Sequence, residues 1–351
     1  MEKRVLFSAN TTLDIYKDVI QALNEKGYHV VYVKNVFKRN PFQPIFYPHC
    51  SESDVTTYLG KVDEYWKHFF ESVDPGPFDY FFSINGLMVS PYLFETLKRI
   101  NPNIKCKLFI YDKIEFACRV NLFFKYYDDV FTFDLEDARK YSIHHLPIYW
   151  VPGSTCPKKY DVFGMASYSL HKKNRADLFR RIRYIVKHSG FSYYIKLYVR
   201  MDNWFTFILK NFVKMVFRHR RYIPFIDVFS GLVTSKPLSP TQFRKCIYES
   251  LVILDTHVDY QDGLTARFMW ALGAGKKVIT TNMSVKDYPF YNDNQFFILS
   301  DNLNRLPAFI KAPLQIPDEN RLIIDSYRID NWLDIILGVR DYPDITSDSL
   351  S

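Results

Sequence analysis

Glycine is scarce in this chain, at 12 of 351 residues. Flexible spacers and Gly-repeat fibres are thereby excluded, and any place where glycines gather becomes informative. Cysteine is scarcer: Cys50, Cys106, Cys118, Cys156 and Cys246 are odd in number, widely spaced and without a CxxC pair. That pattern argues against a disulfide framework and a zinc site, and a reducing cytoplasm is its simplest setting. No apolar run approaches the ~18–20 residues of a membrane span. The start MEKRVLFSANTT has too short an apolar stretch for a secretory leader. No RNA- or DNA-binding motif and no short-period repeat occurs, and the only biased run is the polar tail DITSDSLS.

What is present is aromatic: 31 Phe, 26 Tyr and 5 Trp bring aromatics to 18%, within a hydrophobic content of 48%. Such a chain buries a core, and its length exceeds the size at which one core stops growing, so two domains are expected. The formal charge of +8 favours an anionic partner, whether nucleotide, phospholipid surface, acidic glycan or nucleic acid, without choosing among them.

Strands alternate with helices throughout. RVLFSA, a helix from Ile15 to Asn24 stopped near Gly27, and HVVYV form a strand–helix–strand unit. FDYFFSI, the turn at Asn85-Gly86, PYLFETLKRI and KLFIY repeat it, and DVFTF leads into LEDARKY. Pro147, Pro152 and Pro157, with Gly153 and Ser154 between them, read as a linker. The pattern then restarts. YDVFG is a strand into a turn, Arg175 to Val186 a basic helix, Phe191 to Tyr198 a strand, Ile223 to Phe229 another, and Pro240 to Tyr248 a helix. Domains are placed at 1–152 and 153–325, with a C-terminal helix and tail at 326–351. Both read as doubly wound α/β domains.

Asp255 to Asn282, DTHVDYQDGLTARFMWALGAGKKVITTN, gathers Gly263, Gly273 and Gly275 around a helix that follows the strand LVILD. In open α/β sheets ligands sit beyond the carboxyl ends of strands, so Gln261, Asp262, Gly263, Leu264 and Thr265 lie where a phosphate meets backbone donors, and Arg267 adds a bidentate cation. The alternative is an ordinary capped helix, with Thr265 as N-cap and Arg267 solvated.

QDGLTARFMWALGAGKKVITTN, followed by YPFYNDNQFFIL, resembles the C-terminal domain of bacterial glycosyltransferases of GT-B architecture, of the kind found in lipopolysaccharide and capsule gene clusters. YDDVFTFDLEDARKYSIHHLPIYW and YDVFGMASYSLHKKNRADLFRRI are similar to that family's upstream segments, so the likeness covers most of 78–300. It implies two Rossmann-like doubly wound domains facing across a cleft. The second would bind a nucleoside-diphosphate sugar, and the first an acceptor such as lipopolysaccharide, capsule or exopolysaccharide, free or lipid-linked. It further implies that Gly164 lets the diphosphate approach, that Lys173 or Arg175 neutralises it, and that Asp255, Gln261 and the amides of Gly263 to Thr265 hold sugar and phosphates, supported by Arg267. Asn282, which ends the ITTN match, joins the donor side. No metal and no cofactor beyond the donor substrate is implied, since helix dipoles and cations stabilise the leaving diphosphate. One departure stands out: Trp270 occupies the place of the family's ribose-gripping Glu. A weakened GT-B-like protein that binds nucleotide sugar or glycan without turnover is therefore the competing expectation.

Asp112, ending KLFIY, is the candidate base, with Asn10 and Asn85 on neighbouring strand ends; His257 is the second catalytic candidate. The competing reading makes Asp112 a cap or surface carboxylate and His257 incidental. WFTFILKNFVKMVFRHRRY, 204–222, reads either as a basic amphipathic helix for anionic lipid or as a core helix with a solvated basic edge. The resulting expectation is a cytoplasmic enzyme, peripheral on the inner face of the plasma membrane, with no nucleic-acid partner.

Overall fold

In the computed structural model the described residues are 2–11, 14–34, 52–72, 76–116, 120–168, 173–201, 203–217, 223–257, 262–299 and 303–341, without the side chains of 52–54 and 173–174. The chain divides into two compact units. One comprises Met1–Val151, Tyr260–Leu264 and Asp325–Ser351; the other comprises Pro152–Asp259 and Thr265–Ile324.

The first unit is built from β1 (Arg4–Ala9), α1 (Ile15–Glu25), β2 (His29–Lys34), α2 (Glu52–Ser72), β3 (Tyr80–Ile84), α3 (Pro91–Ile100), β4 (Lys105–Ile110), β5 (Asp129–Thr132), α4 (Leu135–Tyr141) and β6 (His144–His145). Its sheet is parallel throughout, in the order β2-β1-β3-β4-β5-β6. The central strands β3 and β4 are apolar runs buried on both faces, as a sheet covered by helices on both sides requires. Ser90 caps α3 by accepting from Leu93 N, Pro91 opens its first turn, and Lys98 and Arg99 close its last.

The second unit holds β7 (Tyr160–Ser167), α5 (Lys173–His188), β8 (Tyr193–Tyr198), α6 (Trp204–Val216), α7 (Phe225–Phe229), β9 (Val233–Thr234), α8 (Pro240–Tyr248), β10 (Ser250–Asp255), α9 (Ala266–Gly273), β11 (Lys277–Thr280), β12 (Phe296–Ile298) and α10 (Leu306–Lys311). Its parallel sheet runs β12-β11-β10-β7-β8-β9. Counted from β7, this is the 3-2-1-4-5-6 order of the doubly wound dinucleotide-binding folds. A capping box between Ser239 and Gln242 starts α8.

The structure corrects three readings of the sequence. Ile223 to Phe229 is no strand: Pro224 precedes the short helix α7, in which Phe225 and Phe229 stack one turn apart and Asp227 and Val228 point inward. A short apolar run does not by periodicity alone distinguish strand from helix. The stretch read as a linker is packed as far as Tyr149, with Leu146, Ile148 and Tyr149 all buried, and the division between the units falls within it, between Val151 and Pro152. The third concerns the C-terminus. α11 (Asp318–Ser326) returns the chain to the first unit, where α12 (Ile329–Ile336) packs on α1. Trp332 of α12 is fully buried among Phe82, Phe109 and Tyr149, and its indole N–H donates to Pro147 O at 3.0 Å. The C-terminal helix is thus part of the first unit's core.

Candidate functional site

In open parallel sheets the ligand crevice lies beyond the carboxyl ends of the two strands between which the winding reverses. In the second unit those strands are β7 and β10. Two guanidinium groups converge on their ends. Arg267, in the first turn of α9, donates from Nη1 to Met165 O at 2.8 Å. Arg175, in the first turn of α5, reaches Ser167 O at 3.4 Å, His257 O at 3.3 Å and Thr256 O at 3.5 Å. Those are long hydrogen bonds to neutral carbonyls at the ends of β7 and β10.

Asp255 closes β10 and is only 1% exposed. Its Oδ1 accepts from the Thr265 hydroxyl at 2.9 Å and lies 3.4 Å from Arg267 Nε. The same Thr265 hydroxyl accepts from Phe268 N and so caps α9. Among the described residues, Asp255 Oδ2 and the Thr256 hydroxyl are buried polar atoms with no hydrogen-bond partner. Unsatisfied groups of this kind are costly in a protein interior and are relieved by a ligand or water that supplies the missing donors. Next to β10, at the end of β11, the Thr281 oxygen accepts His257 N at 3.1 Å and lies 2.7 Å from His257 Nδ1.

The sequence candidates separate under this geometry. Arg175, Asp255, His257, Thr265 and Arg267 come together around the ends of β7 and β10. Gly164 does not join them. It lies inside β7, three residues before the strand's end at Ser167, where a Cβ would come within 2.8 Å of Leu254 Cβ on β10. Its missing side chain serves strand packing rather than a diphosphate. Gly263 is likewise committed elsewhere: it packs with the first unit, where the amides of Asp262 and Gly263 both donate to Asp134 Oδ2, at 3.0 and 3.3 Å. A Cβ on Gly263 would meet the Phe133 ring at 2.5 Å and Phe133 O at 2.8 Å. Leu264 is a buried core residue. Asn282 caps a 3₁₀ turn, Met283–Asp287, by accepting from Ser284 N. Gln261 and the Lys173 side chain lie outside the described residues.

Trp270 is 5% exposed on α9, edge-on to Phe243 of α8, with the Arg244 guanidinium 5.3 Å over its ring. Position 270 therefore contributes packing between α8 and α9. Thr256 and Thr281 carry site geometry that the sequence reading did not single out. Only the Thr-rich ITTN end of β11 offered a signal for one of them.

In the first unit the winding reverses between β1 and β3. A polar network occupies their carboxyl ends and that of β4. Tyr111 donates its hydroxyl to Asn10 Oδ1 at 2.6 Å, Asn85 Oδ1 accepts from Tyr111 N at 2.9 Å, and Asn85 Nδ2 donates to Asp112 Oδ2 at 2.8 Å. Asn85 holds a left-handed backbone, φ 62°, to make both contacts. Burial pushes the Asp112 carboxyl above its ordinary value, partly opposed by the Asn85 amide, as suits a carboxylate poised to accept a proton. Among the described residues no group of three or more His, Cys, Asp or Glu side chains is placed to hold a metal ion.

No protein-family model and no curated protein sequence matches the chain. Solved structures do resemble it over nearly its whole length. A trehalose 6-phosphate synthase from Burkholderia multivorans superposes with a TM-score of 0.54 at 9% identity, covering 96% of this chain and 98% of that one. The N-terminal domain of Candida albicans trehalose-6-phosphate phosphatase gives 0.51 at 9% identity, over 97% and 96%. A glycosyltransferase involved in avilamycin A biosynthesis gives 0.49 at 10% identity, over 96% and 99%. The first two likenesses, with the two parallel sheets, establish the fold: two Rossmann-like domains in one chain, the GT-B architecture.

Proposed function

We propose that this protein is a glycosyltransferase that takes a sugar from a nucleoside diphosphate and passes it to a hydroxyl of a glycan acceptor. The observation that carries the reading is the convergence of Arg175 and Arg267 with a buried, half-satisfied Asp255 at the β7/β10 reversal. Cations and a helix N-terminus suit the diphosphate, and an acceptor-only carboxylate oxygen suits a sugar hydroxyl.

In this reading an acceptor hydroxyl attacks the anomeric carbon as the bond from that carbon to the diphosphate oxygen breaks. Arg175 and the first turn of α9 stabilise the charge that develops on the leaving group. Arg267 has a different part: paired with Asp255, it orients that carboxylate. Asp112 takes the acceptor's proton. His257, held by Thr281, faces the transferred sugar. A surface polysaccharide such as lipopolysaccharide or capsule is the acceptor class favoured by the sequence resemblance over 78–300.

The competing reading, a binder without turnover, draws on Trp270 in place of a carboxylate. Incubating the protein with individual nucleotide sugars and measuring nucleoside diphosphate released separates the two. Release, slowed on the order of 10- to 100-fold in Arg175→Ala by loss of a charge-assisted phosphate contact, supports the transferase. Binding of a donor with no release, even with glycan acceptors added, rejects it. Arg175 is the cleaner probe, because Gly263→Asp would strike Phe133 and Arg267→Ala would strip a buried carboxylate of its cation.

A further inference from the structure

We propose that the second unit docks on an anionic lipid bilayer through the outward face of α6, together with Ile226 and Phe229 of α7. On α6 the side chains of Phe205, Leu209, Phe212, Val213 and Val216 are all exposed. Their spacing of i, i+4, i+7, i+8 and i+11 puts them on one stripe, and Phe217, 78% exposed, extends it. Helices of soluble proteins normally turn such a stripe inward. Here the inward face is the opposite one. Asn211 is buried there and clamps the backbone of Ile223 through two 2.7 Å hydrogen bonds, and Phe207 packs on Ile223, Val228 and Val233. The apolar stripe is therefore outward because the other face is anchored.

The same anchoring presents α7. Asp227 is fully buried, held by Arg180 at 2.6 Å and Tyr168 at 2.9 Å, which leaves Ile226 and Phe229 projecting outward at 68% and 71% exposure. A stripe of this many exposed large apolar side chains on one helix marks an interaction surface.

Charge selects the occupant. Lys210 and Lys214 are exposed along one edge of the stripe, and 204–217 contains no acidic residue. In a two-fold pairing of this face with a second copy, α6 would offer no carboxylate to meet either lysine. An anionic bilayer satisfies both features: aromatic and aliphatic side chains enter the interface while the lysines pair with headgroups. Trp204, 46% exposed at the helix start, has the amphipathic ring favoured at that depth. This inference stands apart from the catalytic reading and requires no nucleotide sugar.

Flotation of the full chain with vesicles of phosphatidylcholine, with and without phosphatidylglycerol, tests it. The wild type is expected to float with the anionic vesicles only. Leu209→Ser with Phe212→Ser should weaken binding about 100-fold by removing two inserted apolar groups. Lys210→Glu with Lys214→Glu should weaken it at least about 30-fold, more at low salt. All four side chains are exposed, so an unchanged circular dichroism spectrum shows that the variants fold. Equal flotation with neutral vesicles, or variants that bind as the wild type does, overturns the proposal. So does a wild-type dimer that the serine pair makes monomeric without any vesicle binding.

Discussion

Asp112→Asn is expected to lower turnover by about 10²- to 10⁴-fold, the range for loss of a positioned general base, while donor affinity stays unchanged. Asparagine keeps an oxygen to accept from Asn85 Nδ2, so the network at the ends of β3 and β4 is preserved and only the proton acceptor is lost. The pH profile supplies an independent check. Burial raises the folded-state value above 3.8, and a base works when ionised, so the rate should climb with pH along a limb displaced above the ordinary aspartate range. That limb should vanish in the variant. The linked stability effect runs the opposite way. Between the ordinary and the raised value the folded state holds the proton more tightly, so stability falls as pH rises through that window. Asp112→Asn should abolish the slope. A steady-state pH series and urea unfolding across the same range check both.

Trp332→Ala is expected to cost about 3–5 kcal/mol, the range for removing a fully buried large aromatic, or a melting-temperature loss of about 10 °C for a domain of this size. The indole touches Phe82, Phe109 and Tyr149 at once and satisfies Pro147 O. Trp332→Phe keeps most of the packing but strands that buried carbonyl, so a loss of about 1–3 kcal/mol should remain. Urea denaturation of the three proteins gives the ranking directly. A C-terminal helix peripheral to the core would instead tolerate both changes.

The legible and illegible parts of the chain differ in the range of the interactions that set them. Strands β1, β3, β4, β5 and β10 were readable because each is an apolar run bounded by turns, a property local to a few residues. The same applies to α8, whose start is written in Ser239, Pro240 and Gln242. α7 was misread because five residues are too few to show a period. The place of α12 was illegible, since what decides it is contact between Trp332 and residues 82, 109 and 149.

At the site, Thr265 and Arg267 follow from the rule that ligands meet strand ends and helix starts, whereas Arg175 and Asp255 are implied by the resemblance over 78–300. Gly164 looked like a turn because a glycine ended the obvious apolar run, yet MAS continues the strand through Ser167. Gly263 looked like a phosphate cradle, yet its amide goes to Asp134, 129 residues away. Thr265 shows that capping and site-building coexist, since one hydroxyl serves both Phe268 N and Asp255. Trp270 had marked a missing ribose ligand. Its indole packs between α8 and α9 in the second unit.

The central claim is that the β7/β10 reversal holds a nucleoside-diphosphate sugar, and thermal unfolding against UDP-, GDP-, dTDP-, CMP- and ADP-linked sugars tests it most directly. A ligand at about 100 times its Kd stabilises the folded state by about 2.7 kcal/mol. One nucleotide class should therefore raise the melting temperature of the wild type by several degrees and leave that of Arg175→Ala nearly unmoved. No shift with any of the five, or an equal shift in Arg175→Ala, would contradict it.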